Sequence, residues 1–89
     1  MFMKVIVLHK TNSEVDTRVQ GYLKEFQNRT GKTLEVVDPD SRAGVEIARL
    51  HDILQFPAIL VTEEGGEFVQ AWTEFEKWPT ISELSYYAK

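Results

Sequence analysis

The chain has 89 residues, 43% of them hydrophobic and 27% charged, which suits one globular domain. With no cysteine it can form no disulfide, no thiolate nucleophile and no cysteine-ligated metal site. A net charge of −4 lacks the basic footprint of nucleic-acid binders, and no apolar run approaches the ~20 residues that span a bilayer, so neither nucleic acid nor a membrane is expected as a partner.

The start, Met1 to Leu8, is apolar but has neither a basic leader region nor a small-residue cleavage site. It reads as the first strand, over Lys4 to His9, with the cytoplasm as the expected location. Thr11-Asn12-Ser13 then offers helix caps, with Ser13-x-x-Asp16 and Thr11-x-x-Glu14 as competing capping boxes. Val15, Val19, Tyr22, Leu23 and Phe26 recur at helical spacing and predict a helix to about Asn28, closed by Thr30-Gly31. Gly21 lies off that stripe. A second strand is expected over Thr33 to Asp38 and stops at Pro39. Asp40 or Ser41 caps a second helix, about Arg42 to Ile53, whose inner stripe reads as Ile47, Leu50 and Leu54 beside Ala43 and Ala48.

Pro57 then opens a third strand-like run to Thr62. It cannot donate to a ladder and so belongs at a strand's first residue or on an edge. Gly65-Gly66 turns the chain into a fourth run, Glu67 to Thr73, which predicts an antiparallel hairpin. Thr80-x-x-Glu83 caps a last helix through about Tyr87. The order is β-α-β-α-β-β-α. A βαβ unit must be parallel and a tight hairpin antiparallel, so one mixed four-stranded sheet flanked by three helices is expected.

This order, with a proline at the head of the third strand, resembles the thioredoxin-like fold over essentially the whole chain. Leu54-Gln55-Phe56-Pro57-Ala58-Ile59-Leu60-Val61 resembles the thioredoxin run into a cis-proline and the third strand, and Glu64-Gly65-Gly66-Glu67-Phe68-Val69 the hairpin after it. Val5 to Lys10 is more similar to the first strand of glutaredoxins. Aligned by that strand, Ser13-Glu14-Val15-Asp16 stands where the family carries C-x-x-C, and neither motif position has sulfur. The glycine pattern that helps glutaredoxins hold glutathione is absent from Thr73-Glu74-Phe75-Glu76. The resemblance therefore implies the fold, a cis peptide bond at Phe56–Pro57, and a binding groove at Lys10, Thr11, Asn12, Ser13, Asp16, Phe56 and Pro57. It does not carry over the redox activity.

The residues themselves leave several readings open. Ser13 reads as a helix cap, and Asp16 as an acid that complements the start of the helix dipole. His9 and His51 stand alone without ligand spacing, so no metal site and no cofactor are expected. Phe75, Trp78, Tyr86 and Tyr87 either cap the sheet as core or form a contact surface. Three functions follow. The first is a redox-inactive domain, a monomer or weak homodimer, that binds a protein or peptide in the groove. The second is a cysteine-independent enzyme, or a binder of a glutathione-like thiol, using the same groove. The third is an assembly module working through the carboxyl-terminal aromatics.

Overall fold

The computed structural model of the chain describes residues 3–11 and 13–88. β1, Met3–Leu8, is aliphatic and β-branched with its last four residues buried, as a strand covered on both faces must be. It is followed by α1 (Asp16–Thr30), β2 (Glu35–Val37), α2 (Arg42–Leu50), β3 (Ala58–Glu63), β4 (Phe68–Trp72), a single 3-10 turn at Phe75–Lys77 and α3 (Ile81–Tyr87). The sheet order is β2-β1-β3-β4, with β1 parallel to β2 and the other two pairs antiparallel. The Phe56–Pro57 peptide bond is cis, and Pro57 is buried directly ahead of β3. No helix among the described residues is long and apolar enough to cross a membrane.

Period-two alternation along the central strands splits the core into two layers. Val5, Val7, Ile59 and Val61 pack with Phe26 of α1 and with Ile81 and Leu84 of α3. Ile6, Leu8, Ala58 and Leu60 face the other way, against Ile53 and the half-buried Ile47 and Ala48 of α2. The α1 stripe is as periodicity requires, with Val19 and Phe26 fully covered and Tyr22 and Leu23 beside them. Gly31, at φ 74°, closes α1 by donating its N–H to the Gln27 carbonyl. The helix thus ends two residues later than Asn28, and β2 is shorter than the Thr33 to Asp38 run.

Two expectations are corrected. The first concerns α2, whose inner stripe does not include Leu50 or Leu54; these are 71% and 86% exposed. The helix stops at Leu50, where Asp52 adopts a left-handed conformation at φ 54°. The Asp52 N–H then donates to the Arg49 carbonyl and the Ile53 N–H to the Ala48 carbonyl, which is the Schellman closure. That turn breaks the helical period and swings Ile53, not Leu54, into the core. At its other end α2 sits so close to the preceding loop that a Cβ on Gly44 would lie 2.0 Å from the Asp38 carbonyl oxygen.

The second correction concerns the start of α1. Neither Ser13 nor Thr11 caps it. The N-cap is Val15, with no side-chain hydrogen bond, and Ser13 contributes only its backbone carbonyl, which accepts from the Asp16 N–H at 3.1 Å. The chain turns once before the helix begins, so both capping boxes fall out of register.

Candidate functional site

The carboxyl ends of β1 and β4, the amino end of α1 and the loop ahead of β3 meet at one end of the sheet. They enclose an open cleft of about 420 Å³ lined by Val15, Gln55, Phe56, Pro57, Thr73, Glu74, Phe75 and Glu76. Val15 comes from the turn into α1. Gln55 to Pro57 form the loop that the Schellman turn of α2 delivers to β3. Thr73 to Glu76 leave β4 and enter the 3-10 turn. Phe56 keeps 42% of its surface exposed. Among the described residues its N–H and C=O have no hydrogen-bond partner. Arg18 of α1 lays its guanidinium 4.7 Å from the Phe75 ring centre and 3.8 Å from Glu76 Oε1, tying the two walls together from outside.

The residues singled out from sequence are placed as follows. Phe56 and Pro57 line the cleft. Asp16 is next to it in the chain, but its Oδ1 accepts from Nε2 of His9 at 2.7 Å, and His9 is buried. Ser13 is half-buried, and its hydroxyl is enclosed without a hydrogen-bond partner among the described residues. Lys10 is exposed and reaches away to Asp40, ahead of α2. Asp40, bonded to it, raises its ammonium above the ordinary lysine value. Thr11 is exposed, and Asn12 lies outside the described residues.

The four carboxyl-terminal aromatics do not act as one group. Trp78 and Tyr87 pack on the core layer under α1 and α3, Phe75 faces the cleft, and Tyr86 is exposed. Trp78 stands edge-on to Tyr22, with centroids 5.1 Å apart, and the Tyr22 hydroxyl donates to the Pro79 carbonyl at 2.9 Å. Burial pushes the Tyr22 phenol up to about 12, with the Glu83 charge adding to the shift.

Three features lay beyond the sequence reading. Val15 belongs by its spacing to the helix stripe and by the resemblance to the Ser13–Asp16 stretch, and its side chain lines the cleft. Glu74 and Glu76 had one signal, their place directly after β4. His9 had another: a histidine that ends a buried strand must pair its ring nitrogens or pay for desolvating them. Among the described residues no group of three His, Asp or Glu side chains converges as metal ligands.

No protein-family model matches the chain, and no curated protein matches it. Among solved structures it is similar to the oxidised thioredoxin of Plasmodium falciparum, with a TM-score of 0.64 and 16% sequence identity over 98% of this chain and 82% of that one. The fold is thioredoxin-like. Without a cysteine, this chain cannot perform thiol–disulfide exchange, which needs a thiolate to attack the disulfide.

Proposed function

We propose that this is a redox-inactive thioredoxin-like domain that binds an extended peptide or protein segment in the cleft between Val15, Phe56, Pro57 and Phe75. The observation that carries the reading is Phe56, whose ring is part-exposed beside the cleft and whose backbone N–H and C=O are unpaired among the described residues. An extended segment pairs with such a backbone by strand-like addition, while apolar side chains enter the cleft. Nothing in that recognition needs sulfur.

The rival readings have less support. A glutathione-like thiol is anionic overall, and Glu74 and Glu76 on the cleft wall oppose an anion. An assembly role for the aromatics loses Trp78 and Tyr87 to packing within the chain. A cytoplasmic location remains part of the proposal and is checked by cell fractionation.

The binding reading is tested by following backbone amide shifts while titrating a capped valine- and glutamine-containing hexapeptide. Shifts centred on Val15, Gln55, Phe56 and Thr73 to Glu76 support it. Shifts confined to Tyr86 and its neighbours, or no shifts with any peptide, overturn it. Phe56→Ala should abolish binding while leaving a cooperative unfolding transition.

A further inference from the structure

The cleft carries a charge preference as well as a shape. Two of its eight lining residues are glutamates and none is basic. Glu76 is largely exposed, and its contact with Arg18, at 3.8 Å, is long for an ion pair; Glu74 faces Lys77 at 3.4 Å, again at the surface. Exposed pairs of this kind are screened and leave the carboxylates able to take another cation. Lys10, ahead of the turn into α1, is held by Asp40 and does not line the cleft; Arg18 and Lys77 meet the wall from its solvent side and do not line it either. On the amino side of Val15 stands Glu14, and on the other side Asp16. Arg18 displays within the chain the recognition that this wall offers: a cation stacked on Phe75 and drawn to Glu76.

We infer that the segment bound in this cleft is basic, an extended peptide with an apolar residue and a lysine or arginine at alternate positions. The inference rests on the peptide-binding reading above. Alternate residues of an extended chain share a face about 7 Å apart. One such side chain meets the apolar floor made by Val15, Phe56 and Pro57. The next meets the Glu74–Phe75–Glu76 wall. Lysine and arginine suit that wall because they add carboxylate pairing to cation–π contact. An acidic segment would meet two like charges.

The test uses three capped hexapeptides with a valine background that differ only at two alternate positions, occupied by lysine, glutamine or glutamate. Dissociation constants come from amide-shift titrations of the whole 89-residue chain. The lysine peptide should bind at least about tenfold more tightly than the glutamine peptide at low salt, with the glutamate peptide weakest. Raising ionic strength from about 0.02 M to about 0.5 M should erase most of that advantage. A variant carrying Glu74→Gln and Glu76→Gln, checked for native unfolding, should bind the lysine and glutamine peptides alike. Equal affinity of the parent chain for lysine and glutamine peptides, or a preference for glutamate, overturns the basic partner while the cleft still binds peptide. No binding by any of the three overturns the basic partner and the peptide-binding reading together.

Discussion

Helices α2 and α3 begin with local side-chain caps, and α1 does not. Ser41 Oγ accepts from the Gly44 N–H at 3.0 Å, and Thr80 Oγ1 accepts from the Glu83 N–H at 3.2 Å. These helices carry their own start signal. At α1 the N-cap is Val15, and the start is held from outside, by buried His9 at the end of β1 reaching Asp16. The uncapped end is the one that faces the cleft. A side chain that caps its own helix bends back onto the backbone. Among the described residues His9 bonds the Asp16 carboxylate and no backbone N–H of α1, and Val15, the N-cap residue, lines the cleft.

The largest effect that would sharpen this contrast is expected in α2. Gly44→Ala pushes a methyl group into the Asp38 backbone, which cannot rotate away, and should cost more than about 2 kcal/mol in urea unfolding. In α1, Gly21 meets nothing within 4 Å of a new Cβ, so Gly21→Ala should stabilise by up to about 1 kcal/mol. Similar losses from both alanines would mean that α2 is not seated on the Asp38–Pro39 turn.

Next in size is the His9 pair. Asp16→Ala strands a buried imidazole N–H and should cost about 1–3 kcal/mol, whereas Asp16→Asn keeps an acceptor and should cost less. Equal losses from the two changes would break the claim that His9 holds the start of α1.

Smaller again are the caps. Ser41→Ala and Thr80→Ala should each cost about 1 kcal/mol. Ser13→Ala removes a hydroxyl that is enclosed without a hydrogen-bond partner among the described residues, so it should be neutral or slightly stabilising. A loss at Ser13 as large as that at Ser41 would restore Ser13 as a cap.

A last expected effect, confined to alkaline solution, is a pH dependence. The Tyr22 phenol stands at about 12 in the folded chain against an ordinary value of 10.0. Its neutral form therefore contributes stability in full below pH 10, and that contribution drains away as pH rises toward 12. Urea midpoints of the parent chain should fall between about pH 9 and about pH 11 more steeply than those of Tyr22→Phe, in which the other tyrosines and lysines titrate unchanged. Parallel slopes would place Tyr22 in water.

Sequence alone carried the order of elements, the hairpin and the mixed sheet, because period and punctuation act within a few residues. The Val19 and Phe26 stripe, the Ser41 and Thr80 caps and the Gly31 stop were all legible in this way. So was the exclusion of thiol chemistry, which needs only the absence of cysteine. What only the tertiary structure decided involves partners that are distant in the chain or choices between neighbours. Whether Ile53 or Leu54 enters the core depends on one left-handed residue, Asp52, where asparagine or glycine is the commoner signal. The first residue of α1 is paired with His9, seven residues away, and neither capping box of the sequence is in register. The cleft joins Val15, Gln55 to Pro57 and Thr73 to Glu76, three segments with no local signal in common, and the order of the strands sets them side by side.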